Sequence, residues 1–174
     1  MRTSSNMIHS LLIFAVVIFA IAAFNGGDGL QTFGDGVAAN TRLQGAYSVV
    51  RTIDGDTIIV NIAGEDTRIR LIGVDAPEND TAEGQEVTEF VRGILAGSSV
   101  YLEYEAPRLD RFGRTRAYVY LNDGTTMLNA LLLERGYATV MTLHRNARHS
   151  SDFYALEATA RQNGVGLWGS GVFE

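Results

Sequence analysis

Residues 70–78 read R-L-I-G-V-D-A-P-E, an apolar strand with an arginine at its start and two carboxylates and a proline at its end. Leu71, Ile72 and Val74 are too apolar for a surface loop, and Pro77, which cannot donate to a sheet ladder, closes the strand. Asp75 and Glu78 are therefore expected where the strand stops. Upstream, V-V-R-T-I-D-G-D-T-I-I-V over 49–60 sets Asp54 and Asp56 on either side of Gly55, at the junction of two strand-like runs. Downstream, R-L-D-R-F-G-R-T-R over 108–116 supplies Arg108, Arg111, Arg114 and Arg116 beside a further strand, A-Y-V-Y-L. Carboxylates and arginines that converge from three loops suit a metal ion and a phosphate.

The rest of the chain frames these loops. Short β-branched runs at Tyr47–Ile53, Thr57–Ile62 and Thr67–Val74, parted by D-G-D and A-G-E-D, predict a three-stranded meander. Between Glu83 and Gly97 the residues Val87, Phe90, Val91, Ile94 and Leu95 recur at helical spacing. Two more strands follow, Val100–Tyr104 and Thr115–Leu121, separated by the arginine-rich loop. Met127–Arg135 is a short helix ending at Gly136, and a last helix runs over Ser151–Gln162, capped by Ser150 or Ser151 and stopped by Gly164. Trp168 is expected to pack the tail onto the body. This order predicts an α+β fold, a five-stranded Greek-key β-barrel of the OB type with about three α-helices.

At 174 residues and 46% hydrophobic content the chain supports one globular domain, but the apolar residues are unevenly spread. Leu11–Phe24 is an unbroken run of fourteen apolar residues behind Arg2. That is the length of a signal-peptide core; counted from Met7 the run reaches eighteen, close to the roughly 20 of a membrane span. Residues 1–24 are thus expected to be a cleaved signal or an N-terminal anchor, with a tether through residues 7–24. In both cases the remainder is exported, to be secreted, periplasmic or held at the outer face of the cytoplasmic membrane. Residues 25–46, rich in glycine and small polar side chains, read as a flexible linker, and the working domain is expected over 47–170.

No cysteine is present, so the exported domain has neither disulfides nor thiol chemistry and rests on packing alone. All fourteen basic residues are arginine. Without Arg2, thirteen of them face twenty acids, a net charge of about −7 that argues against strong non-specific binding to nucleic acid. Binding of that kind would have to rely on local arginine clusters and a cation.

Each motif alone has a plain reading. Asp54-Gly55-Asp56 is a tight-turn sequence, Asp75-Ala76-Pro77-Glu78 a solvated strand exit, and Arg111-Phe112-Gly113-Arg114 a charged turn. Their joint occurrence carries the case. Hard divalent cations take several oxygen ligands, which carboxylates and a backbone carbonyl supply without histidine or cysteine. His9 lies in the leader, and His144 and His149 stand in an arginine-containing loop, an arrangement unsuited to zinc. Arginine, unlike lysine, offers the planar fork that a phosphodiester accepts.

From Tyr47 to Trp168 the chain resembles the staphylococcal nuclease (thermonuclease) family. The matching pieces are I-D-G-D-T at 53–57, R-L-I-G-V-D-A-P-E at 70–78, D-R-F-G-R at 110–114, and A-Y-V-Y followed by N-A-L-L-L-E-R-G-Y-A. The resemblance implies an OB-fold barrel and calcium-dependent cleavage of DNA, RNA or both, with products ending in a 3′-phosphate. It implies that Asp56, Asp75 and the carbonyl of Ala76 bind Ca2+, that Glu78 acts on the attacking water, and that Arg70 and Arg114 hold the phosphate. A monomer is expected. Ala76 stands where the family usually has threonine, which a backbone ligand tolerates. The loop after Glu78 is short, Phe112 replaces a frequent tyrosine, and Thr142 and His144 fall where tyrosines line the nucleotide pocket. The alternative is a non-catalytic OB module of the cell envelope that binds nucleic acid or a protein. Four acids beside a phosphate site argue against it, because they repel the ligand unless a cation lies between.

Overall fold

The computed structural model of the chain describes residues 42–141 and 147–173. The expected leader, most of the expected linker, Thr142 and His144 lie outside the described residues. The elements run β1 (Leu43–Asp54), β2 (Thr57–Ile62), β3 (Glu65–Leu71), β4 (Val74–Asp75), α1 (Ala82–Leu95), β5 (Ser99–Leu109), β6 (Thr115–Tyr120), α2 (Leu128–Glu134), β7 (Thr139–Val140) and α3 (Ser150–Gln162). A single 3₁₀ turn, Gly166–Trp168, follows. Among the described residues no helix is long and apolar enough to cross a membrane.

Five strands close into a barrel in the order β1-β2-β3-β6-β5, and with three α-helices this is the expected α+β architecture. Its ladders are antiparallel except for β3 against β6, which is parallel. The two-residue period does the sorting. Ile58, Val60, Ile69, Leu71, Ala117 and Val119 are fully buried. Arg70 and Arg116, which are register partners on β3 and β6, alternate with them and leave the barrel on its other face.

Four boundaries differ from expectation. β1 starts at Leu43 rather than Tyr47, because Leu43 and Gln44 pair with Glu103 and Leu102 of β5 across an irregularity at Gly45. The end of the glycine-rich stretch is therefore sheet. β5 continues to Leu109, so Arg108 belongs to a strand and the arginine loop shrinks to a tight turn. Helix α3 begins at Ser150 with His149 at its N-cap and no side-chain cap bond, so neither serine performs the expected capping. The fourth difference, a break within residues 67–74, builds the site and is described below.

A buried polar cluster anchors the segment before α3 to the barrel. Glu103 on β5 is 1% exposed, accepts a hydrogen bond from Tyr120 Oη at 2.9 Å, pairs with Arg148, and meets His149 Nε2 at 3.2 Å. Burial alone would raise its pKa, but the bonds from Tyr120, His149 and Arg148 outweigh burial and hold it below the ordinary value.

Candidate active site

The stretch expected as one strand, Thr67–Val74, is two. β3 stops at Leu71, Ile72 N donates to Ala117 O at 3.0 Å, and Gly73 turns with φ +77°, a left-handed conformation that glycine adopts without strain. The chain then reverses into β4, where Val74 and Asp75 pair with Val140 and Thr139 of β7. Asn129, fully buried on α2, stitches this reversal: its Oδ1 accepts from Val119 N at 2.9 Å and its Nδ2 donates to Ile72 O at 2.8 Å. Pro77 therefore does not end the strand; Gly73 does.

The reversal folds Asp75 back over Arg70. Arg70 is 7% exposed and uses Nη1 to donate to Leu71 O at 3.1 Å and Val74 O at 2.7 Å, both carbonyls of the turn. Its Nη2 reaches Asp75 Oδ1 and Asp56 Oδ2, each at 2.9 Å. One guanidinium nitrogen thus gathers the two carboxylates expected to hold a cation. Asp56 is buried at the β1–β2 hairpin; its Oδ2 also accepts from Ala76 N at 3.0 Å, and its Oδ1 accepts from Thr57 Oγ1 at 3.0 Å. Asp75, by contrast, has a side chain 60% exposed.

These partners do not satisfy Asp56. Burial raises its pKa to about 7, and Arg70 and the Ala76 amide pull it down less than burial and Asp54, whose Oδ1 accepts from Asp56 N, push it up. A buried carboxylate in that condition is one that a hard cation would complete. Among the described residues no three His, Cys, Asp or Glu side chains form a metal cage. The donors at hand are two carboxylates joined through the Ala76 backbone, an all-oxygen set that fits calcium.

Helix α1 fixes the acidic loops. Gly55 leaves the hairpin just room against Val87 and Ala76, where a Cβ would stand 2.6 Å and 2.7 Å from side-chain carbons. Thr81 caps the helix through Gly84 N at 3.0 Å and donates its own hydroxyl to Glu78 O at 2.9 Å. A Cβ on Gly84 would overlap that same carbonyl. The backbone of Glu78 is held while its side chain is exposed to solvent.

Beside the acids lies a pocket of about 390 Å³ whose lining includes Arg70, Arg111, Arg114, Arg116, Phe112 and Met141. Asp110 folds the turn that presents Arg114, accepting from Phe112 N and Arg114 N at 2.8 Å and from Arg114 Nε at 2.6 Å. The outer nitrogens of Arg114 remain for a ligand. Phe112 is 68% exposed, with the Arg111 guanidinium 4.6 Å from its ring centroid.

A family model described as staphylococcal nuclease homologue matches residues 68–170. The chain belongs to this family. Its relatives include a thermonuclease of Staphylococcus hyicus, 36% identical over 128 residues that cover 70% of this chain and 75% of the relative. A thermonuclease of Staphylococcus intermedius is 33% identical over 165 residues, 91% of this chain and 94% of its own. A micrococcal nuclease of Shigella flexneri is 30% identical over 127 residues, 69% of this chain and 71% of its own.

Within this staphylococcal nuclease homologue, Asp56, Arg70, Asp75 and Ala76 form one bonded group, Arg70 and Arg114 share the pocket, and Glu78 stands on the loop pinned by α1. The sequence reading missed β7, which backs Asp75 and is itself held by Glu157 Oε1 accepting from Val140 N at 2.6 Å. Two residues carry too little periodicity to announce a strand. It also missed Thr81, although a threonine three residues before Gly84 at a helix start is a legible cap.

Proposed function

We propose that this chain is an exported, calcium-dependent nuclease that hydrolyses DNA, RNA or both and leaves 3′-phosphate ends. It is a phosphodiester-cleaving hydrolase of the staphylococcal nuclease family; the metal, the products and the location extend that statement. The observation that carries the reading is Arg70 Nη2, which holds Asp56 and Asp75 together at 2.9 Å beside an arginine-lined pocket.

Asp56, Asp75 and the Ala76 carbonyl would hold calcium, which when bound supplies Lewis-acid polarisation of the phosphoryl oxygens. Arg70 orders the two carboxylates and lines the pocket. Arg114, its Nε committed to Asp110 and its outer nitrogens presented, grips the scissile phosphate and offsets charge that grows in the transition state. Glu78 takes a proton from water or orients it, since its carboxylate is exposed and its backbone is fixed. Export is supported by the apolar run Leu11–Phe24 behind Arg2.

Single-stranded DNA, duplex DNA and RNA are incubated with the protein in calcium and in chelator, and product ends are identified by phosphatase sensitivity. Cleavage in calcium alone, with 3′-phosphate ends, is expected. Binding without cleavage would favour a non-catalytic nucleic-acid module.

A further inference from the structure

The four arginines that line the pocket differ in what they already hold. Arg70 is committed to Asp56, Asp75 and two carbonyls, Arg114 to Asp110, and Arg111 lies over the Phe112 ring. The Arg116 side chain has no hydrogen bond or ion pair with any described residue. It is also half-buried. The acids near it in sequence are in use: Asp110 serves the turn, and Glu105 accepts from Tyr118 Oη at 2.6 Å and from Arg148 N at 3.3 Å.

Arg116 is the register partner of Arg70 in the parallel ladder, so two like charges leave adjacent strands on the same side. Such a pairing costs stability unless each charge is offset. Arg70 has its two carboxylates. Arg116 has none among the described residues, in a chain whose net charge is −6. Its guanidinium therefore offers a fork with no partner of its own, one strand away from the acidic pair.

We propose that Arg116 is a further phosphate-binding residue, gripping a backbone phosphate next to the one that is cleaved. The inference rests on the hydrolase reading above and adds a second phosphate subsite to it. A polynucleotide carries one phosphate per nucleotide, so a strand whose scissile group sits at Arg114 brings its next phosphate along the same pocket wall. Arg116 thereby holds the strand in register instead of acting on the reacting atoms.

The test is the salt dependence of KM for a single-stranded DNA oligonucleotide, measured for the unmodified protein, Arg116→Gln and Arg116→Lys. Arg116→Gln is expected to raise KM roughly tenfold, with kcat falling far less. It should also lower the slope of log KM against log salt by about 0.7, the loss of one single-strand phosphate contact. Arg116→Lys, which keeps the charge, should keep the slope. A neutral methylphosphonate placed in turn at each linkage beside the cleaved one should weaken binding to the unmodified protein at one position and leave Arg116→Gln indifferent there. An unmoved slope in Arg116→Gln overturns the proposal, as does a changed sequence preference with an unmoved slope, which would make Arg116 a base contact. Both results leave the hydrolase reading standing. Absence of cleavage by the unmodified protein brings both down.

Discussion

Asp56 and Glu103 are both buried carboxylates with an arginine beside them, 5% and 1% exposed, yet burial wins at one and loses at the other. Glu103 collects Tyr120, Arg148 and His149 for itself, and its pKa falls below the ordinary value. Asp56 shares its arginine with Asp75 and has Asp54 behind it, and its pKa rises to about 7. Both are nearly closed to solvent, but Asp56 is the more deeply enclosed and has fewer donors per negative charge. The cluster around Glu103 is complete within the protein and works as a clasp. The group around Asp56 is short of positive charge, as the proposed cation site requires.

Damage to the two regions should therefore separate activity from stability. Short of the cation site itself, the largest expected effect is at the phosphate side of the acidic site. Arg114→Lys keeps the charge and loses the fork, so kcat should fall on the order of 10²-fold with little change in melting temperature. Steady-state kinetics beside a melting curve would check it, and unchanged turnover would reduce Arg114 to a turn residue. At the clasp the reverse is expected. Glu103→Gln strands part of the donor set, and because Arg148 has a side chain 32% exposed the loss should be about 2 kcal/mol, below that of a fully buried pair. Activity per folded molecule should survive, as a urea titration with a parallel cleavage assay would show.

A smaller effect follows from pH. The folded pKa of Glu103 lies below its ordinary 4.5, so its contribution is fully present above that value and is lost as pH falls through the lower folded one. Urea midpoints of the unmodified protein should therefore drop in acid more steeply than those of Glu103→Gln. Parallel curves would show that Glu103 does not titrate as a satisfied carboxylate.

The barrel was legible because its interior strands alternate, as at Ile58, Val60, Ile69 and Leu71. The acidic and arginine-bearing motifs were legible because their residue types suit one chemistry. What lay beyond sequence reading was contact made by small or irregular means. The break at Gly73 looks like strand because Leu71, Ile72 and Val74 are apolar whether they run straight or reverse. The role of Gly84 depends on a carbonyl six residues earlier in the chain that only the folded helix brings near. Arg148 and His149 looked like parts of a charged loop, since their partner Glu103 sits in a strand more than forty residues away.

Asp56→Asn tests the central contrast most directly. At neutral to mildly alkaline pH in chelator, removing the charge relieves the cost of burying it and its repulsion by Asp54, while Arg70 keeps Asp75 and its two carbonyls. The melting temperature should rise above that of the unmodified protein in chelator. Calcium should raise the melting temperature of the unmodified protein, by binding its folded state, and should leave the variant where it is. Cleavage should be lost. A variant that melts lower in chelator, still gains stability from calcium and still cuts would contradict the assignment of Asp56 to a cation site.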